Sequence, residues 1–195
     1  MTKENLRQLI EQYSPVDEQE TVDRKTILSF MDHFDDVVTR ANVFGHLTAS
    51  AFVVNEDITH TLMLHHNIMG GYAFPGGHAD GEYDLYEVAR REVEEETGLN
   101  VEPLFTNDIF AIQCAYTPGH VKRGKYISAH THYDILFVFK VKNEDMSKIR
   151  VCEGENTAVE WRSIDESSAE DVVDWIRPIN KKIVKKILEI LNERN

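Results

Sequence analysis

Apolar side chains in the first 40 residues follow a helical period. Leu6, Leu9, Ile10 and Tyr13 share one stripe, Ser14-Pro15 interrupts it, and Val22, Leu28, Met31 and Val38 belong to a second, longer stretch. From Asn42 the period changes. Leu47 to Val54 and His60 to His65 read as strands joined through the polar Asn55-Glu56-Asp57, and a short strand near Tyr72 to Phe74 runs into Pro75-Gly76-Gly77. Residues 84–97 return to a helical spacing. Ile109 to Tyr116, His132 to Val141 and Ala158 to Arg162 read as strands, followed by helices near 165–175 and 178–193. Strands on both sides of a central helix, with helices at both ends, predict an α/β or α+β fold. The expected division is a helical extension over 1–41, a main domain over 42–177 and a C-terminal helix over 178–195 packed on it.

Charge narrows the partners. The chain has 195 residues with 21 Lys+Arg against 34 Asp+Glu, a formal net charge of −13. That balance argues against nucleic acid or an anionic membrane surface as the main partner, since both call for surplus cations. The first 40 residues carry nine acidic and five basic groups, so a DNA-binding arm is not expected there; packing on the domain, a homodimer surface or a lid remain open. Cys114 and Cys152 have no CxxC or Cys/His spacing. No apolar run approaches a signal peptide or a membrane span, and a cytoplasmic protein is the expectation.

The informative segment runs from Pro75 to Leu99. Asp84 suits a helix start and Gly98 a helix stop. At about 100° per residue, Leu85, Val88, Ala89, Glu92, Glu95 and Glu96 fall on one side, with Glu87 and Glu94 roughly opposite. An apolar stripe therefore turns acidic in its last turn. Carboxylates at i, i+3 and i+4 repel one another and sit at the negative end of the helix dipole, each penalty being a few tenths to about 1 kcal/mol. Hard divalent cations convert that repulsion into coordination. A solvated surface run is the alternative for Glu94-Glu95-Glu96 taken alone. The preceding Gly76-Gly77, which lets main-chain carbonyls approach a ligand, weighs against it.

Gly77, Arg91-Glu92-Val93, Glu95-Glu96 and Gly98-Leu99 resemble the Nudix box, GX5EX7REUXEEXGU with U aliphatic. The spacing from Gly77 to Arg91 matches, as does every fixed position from Arg91 through Leu99. The isolated Glu of the box falls on Tyr83; Glu82 and Asp80, one and three residues earlier, are the candidate replacements. The resemblance implies an α/β/α sandwich around a mixed sheet and hydrolysis of a nucleoside diphosphate linked to another group, with Mg²⁺ or Mn²⁺. It also implies Glu92, Glu95 and Glu96 as metal ligands with the Gly77 carbonyl nearby, and Arg91 orienting Glu92. Glu92 is expected to be the base or the ligand nearest the attacking water. Some relatives recruit the base from a loop, and Glu155 is the candidate for that extra carboxylate.

Other polar clusters have competing readings. His130, His132 and Asp134 alternate along a strand and can share a face, as in a His/His/carboxylate metal site, but an ordinary polar strand face, or contact of His130 and His132 with substrate, is the favoured expectation. His120, Lys122, Arg123 and Lys125 form a compact basic loop, either covering an anionic substrate group or facing solvent, and His65-His66 reads as a strand-end surface pair, with lining of the cleft as the other reading. Lys181, Lys182, Lys185 and Lys186 are a solvated helix face, with Ile183, Val184, Ile187, Leu188 and Leu191 expected inward.

The expected activity is metal-dependent cleavage of a pyrophosphate bond in a small nucleoside-diphosphate-like substrate. A non-catalytic nucleotide sensor of the same fold is the alternative. An isomerase of isoprenoid diphosphates is a third reading, and the acidic balance disfavours an RNA-end hydrolase.

Overall fold

A computed structural model describes all residues except 68, 123, 152–155 and 195. In chain order the helices are α1 (Lys3–Gln12), α2 (Glu18–His33), α3 (Leu85–Thr97) and α4 (Ile176–Arg194). The strands are β1 (Gly45–Asn55), β2 (His60–His66), β3 (Gly71–Ala73), β4 (Gly76–His78), β5 (Glu102–Pro103), β6 (Ala111–Thr117), β7 (His120–Lys122), β8 (Lys125–Ile127), β9 (His130–Val141) and β10 (Asn156–Ser163). The main sheet has the order β10-β2-β1-β9-β5, with β3 on β2, β4 on β1 and β6 on β9; β7 and β8 form a separate hairpin. The α/β expectation holds.

The described chain divides into two compact units. The first comprises Met1–Ser50, Gly76–Ala89 and Asp108–Phe137. Its core includes Leu6, Ile10, Ile27, Phe30, Met31, Leu47, Ile112 and Ile135, all buried. Thr2 and Asn5 cap α1 reciprocally, and the Asp17 side chain accepts from the Glu20 N–H at the start of α2. Helix α2 packs on β6, and α1 packs on α2. The Tyr13 hydroxyl donates to Glu20 Oε2 at 2.7 Å and to the Phe110 carbonyl at 3.0 Å, and Cys114 N–H donates to Asp23 Oδ2 at 3.0 Å. The Phe30 ring stacks on Tyr133 with centroids 4.3 Å apart. Helix α2 ends at His33, short of the Val38 that its period suggested, because the chain turns back and Leu47 N–H takes the Val37 carbonyl at 2.7 Å.

The second unit comprises Ala51–Pro75, Arg90–Asn107 and Val138–Asn195. Phe52, Leu62, Met63, Val93, Phe139, Ile183 and Ile187 are buried in it. β10 pairs antiparallel with β2 from Asn156↔His66 to Ser163↔His60. The helix expected near 165–175 is instead a 3-10 turn over Ile164–Ser168, capped by Ser163 and Glu166. The segment after it is a run of turns around a single bridge between Val172 and Tyr72, because its backbone groups serve Tyr72. Tyr72 N–H donates to the Asp171 carbonyl at 2.9 Å and Val173 N–H to the Tyr72 carbonyl at 3.0 Å. In α4, Ile183 and Ile187 are buried as expected, but Leu188 is about half exposed at 49%.

Candidate functional site

Helix α3 stops where the sequence places its stop. Gly98 adopts a left-handed φ of 75°, and its N–H donates to the Glu94 carbonyl at 2.8 Å. The buried stripe is Leu85, Val88, Ala89, Val93, Glu96 and Thr97. Val93, not assigned to the inward face from periodicity, is fully buried, whereas Glu95 is exposed. The inward face is thus rotated toward Val93, because an apolar side chain on one flank gains more from burial than a carboxylate on the other. Glu94 is exposed, as expected, and Glu92 is half-buried.

Glu96 is 7% exposed, and its Oε1 accepts from Asn156 Nδ2 at 3.1 Å. Asn156 is itself buried, and its own side-chain oxygen has no hydrogen-bond partner among the described residues. A carboxylate buried next to an unsatisfied amide oxygen is an oxygen-rich environment of the kind hard cations take. Arg91 Nε lies 3.7 Å from Glu95 Oε1, and Arg90 Nη1 lies 3.7 Å from Glu94 Oε2. Both are exposed i,i+4 pairs of small energetic weight.

Gly77 lies on β4, opposite Ala49 of β1. A Cβ on neighbouring Gly76 would stand 2.6 Å from Ser50 Oγ and 2.9 Å from the Ala49 carbonyl oxygen, so only glycine lets β4 lie this close to β1. Of the two acids considered in place of the box Glu, Asp80 is held by Arg40 through Nε at 2.7 Å and Nη2 at 2.5 Å. Glu82 is exposed.

The basic segment is not an open loop. It forms the β7–β8 hairpin, with Lys122 opposite Lys125 and Lys125 exposed. Arg123 and Glu155 lie outside the described residues. His65 Nδ1 is 2.8 Å from Thr157 Oγ1, and its ring stands edge-on to Tyr72 at 5.2 Å.

His130, His132 and Asp134 do share a face of β9, but they serve two different clusters. Asp134 is buried and accepts from Thr48 Oγ1 and Ser50 Oγ, both at 2.8 Å, and from Gln113 Nε2 at 2.7 Å. Burial pushes its carboxyl above the ordinary value, and the three donors work against that shift. His130 and His132 instead meet His46 of β1 and His78 of β4. Ring centroids are 5.0 Å apart for His46–His130 and His46–His132, and 4.9 Å for His46–His78, His78–His132 and His130–His132. Burial, followed by His130, pushes His46 down to about 4. Burial, followed by His78 and His46, pushes His132 down to about 2. Both rings are therefore neutral near pH 7.

His46, His78 and Asn156 were not found from the sequence. The available signal was the polar alternation His46, Thr48, Ser50 inside an otherwise apolar strand, which mirrors His130, His132, Asp134 on its neighbour.

A family profile described as the NUDIX domain matches residues 45–185. The chain belongs to the Nudix family. Its Nudix domain makes it an enzyme of the pyrophosphohydrolase class, in a family that works with divalent cations. Solved structures share the Nudix fold, a central mixed sheet with flanking helices. A Nudix-family hydrolase from Clostridium perfringens is 20% identical, with TM-score 0.51, over 73% of this chain and 97% of the other. An Ap4A hydrolase from C. elegans is 14% identical, with TM-score 0.51, over 75% and 98%. The E. coli dihydroneopterin triphosphate pyrophosphohydrolase is 16% identical, with TM-score 0.52, over 74% and 99%. No curated protein sequence matches the chain. Among the described residues no helix is long and apolar enough to cross a membrane.

Proposed function

We propose that this Nudix protein hydrolyses a pyrophosphate bond in a small nucleoside-diphosphate-like substrate, using Mg²⁺ or Mn²⁺ held by Glu92, Glu95 and Glu96. The observation that carries the reading is Glu96, a carboxylate buried at the dipole-disfavoured end of α3 and held by Asn156. A structural helix gains nothing from that placement, whereas a cation ligand does. The donor set fits: three carboxylates on one terminal turn supply hard oxygen atoms, which Mg²⁺ and Mn²⁺ prefer. A bound divalent cation neutralises phosphate charge and lowers the pKa of a coordinated water.

The chain's own residues divide the remaining work. Glu92, half-buried one turn before Glu96, accepts the proton of the attacking water. Asn156 fixes the Glu96 carboxylate, and Arg91 spaces the acidic turn through its pairing with Glu95. Lys122, Arg123, Lys125 and His65 are the candidates for the anionic part of the substrate, on charge and hydrogen-bonding capacity. Ap4A and dihydroneopterin triphosphate, after which two structural neighbours are named, fall in the same phosphoanhydride class.

The test is release of phosphate or nucleotide from a diphosphate panel, run with Mg²⁺ and with Mn²⁺. Glu92→Gln and Glu96→Gln should lower turnover by at least a hundredfold, while Glu94→Gln, on the exposed side, stays within about twofold of the unsubstituted protein. Loss in Glu94→Gln as large as in Glu96→Gln would refute the helix-face assignment. Tight nucleotide binding with no turnover in either metal would replace the hydrolase reading by the sensor.

A further inference from the structure

We propose that His46, His130 and His132 form a binding site for a late first-row transition ion of the zinc(II) class, separate in donor chemistry from the acidic turn of α3. Each of the three offers one ring nitrogen, and these atoms all lie within 4.8 Å of one another. His130 Nε2 and His132 Nε2 are 3.1 Å apart and hydrogen-bonded to each other. Two nitrogens bound tetrahedrally to zinc at about 2.0–2.1 Å lie about 3.3 Å from each other. The pair is therefore already near ligand spacing, and the third nitrogen lies within 4.8 Å of both.

His46 supplies the second, independent observation. It is 4% exposed, and beyond an approach to the Asn42 backbone neither Nδ1 nor Nε2 makes a well-formed hydrogen bond among the described residues. A buried imidazole without well-formed hydrogen bonds is unfavourable. A metal ion accepts the lone pair of the unprotonated nitrogen directly.

The backbone is shaped for this approach. A Cβ at Gly45 would stand 2.5 Å from the Thr131 carbonyl oxygen, so glycine lets β1 lie against β9 at the point where His46 meets His130 and His132. His130 Nδ1 lies 2.8 Å from the Ser128 carbonyl, the second-sphere contact that fixes a ligating ring and turns its Nε2 toward His132. Neutral imidazole is the ligating form, whereas an anion site calls for positive charge. Imidazole nitrogen selects zinc, nickel, cobalt or copper over the hard cations suited to the α3 carboxylates. His78 lies beside His46 and His132, with ring centroids 4.9 Å from each, and a three-histidine zinc site keeps a fourth coordination position. With three protein ligands that position admits water or a substrate oxygen.

The experiment uses the full-length, tag-free protein in saturating Mg²⁺, with zinc(II) alone as the probe. Equilibrium dialysis should retain one zinc per chain. His46→Gln and His132→Gln should each weaken retention at least tenfold, while Glu95→Gln and Glu96→Gln leave it unchanged. X-ray absorption on the unsubstituted zinc-loaded protein, which needs no variant to fold, should show imidazole nitrogens at about 2.0–2.1 Å. Zinc retained equally by both histidine variants, an oxygen-only shell, or no zinc retained at all would each overturn the proposal.

Discussion

Removing the Asp134 carboxylate should cost this protein a large part of its stability, and the size can be worked from its surroundings. Asp134 accepts three side-chain hydrogen bonds, from Thr48, Ser50 and Gln113, at 2.7–2.8 Å. All four residues are buried, none above 7% exposed. Asp134→Ala leaves three donors without an acceptor, and each unsatisfied buried donor costs about 1–3 kcal/mol. Thr48 and Ser50 alternate on one face of β1, so their hydroxyls can turn toward each other and recover part of the loss. The cost of burying the charge also disappears with the carboxylate. A net loss of about 2–5 kcal/mol remains, against a typical total of about 5–15 kcal/mol for a domain. Asp134→Asn keeps one acceptor oxygen for the hydroxyls, and a turned Gln113 carboxamide can take its new N–H. It should cost less than about 1.5 kcal/mol. Urea unfolding of the three proteins, followed by far-UV circular dichroism, measures the difference, provided the slopes agree. Asp134→Ala within about 1 kcal/mol of the unsubstituted protein would show that water reaches these donors in solution, and the reasoning would fail.

Three other perturbations test separate parts of the structure. Gly45→Ala forces a methyl to within 2.5 Å of the Thr131 carbonyl oxygen and 2.8 Å of the Tyr133 ring, and should destabilise by about 1–3 kcal/mol in the same assay; an unchanged urea midpoint would contradict the close strand approach. Arg162 forms a two-point pair with Asp171, at 2.9 and 2.6 Å, and holds its carboxyl below the ordinary value. A depressed carboxyl stabilises the fold above its unfolded pKa of about 3.9, and that contribution fades as pH falls through the folded value. The advantage over Asp171→Asn, under about 1 kcal/mol for so exposed a carboxylate, should therefore shrink between pH 5 and pH 3; a constant difference would refute the assignment. Burial, then Asp23, pushes the Cys114 thiol up. In a Cys152→Ser background its reaction with a disulfide reagent at pH 8 should run more than tenfold slower than that of a free thiol, and an equal rate would place Cys114 in solvent.

Much of the acidic helix was readable because its information is local. The 3.6-residue period, a glycine at the stop and the run from Arg91 to Leu99 all operate within a few turns of one helix, so spacing alone exposes them. Glu94 outward and Glu96 inward followed from the period. Glu95 did not, because a helix wheel gives relative directions and not which direction is the core. That orientation came from Val93, buried on the opposite flank.

The Nudix box, the α/β class, the acidic surplus and the paired lysines of the last helix were all determined by the sequence itself. Each depends on residues a few positions apart. The histidine cluster was decided only by tertiary structure: His46, His78 and the His130–His132 pair come from β1, β4 and β9, and strand order brings them together. The same holds for Asn156 at Glu96, for Asp134 serving Thr48 and Ser50 instead of a metal, and for α2 lying on β6. Pairing between distant strands is a cooperative choice of register, set by the whole buried face at once. No single segment contains it.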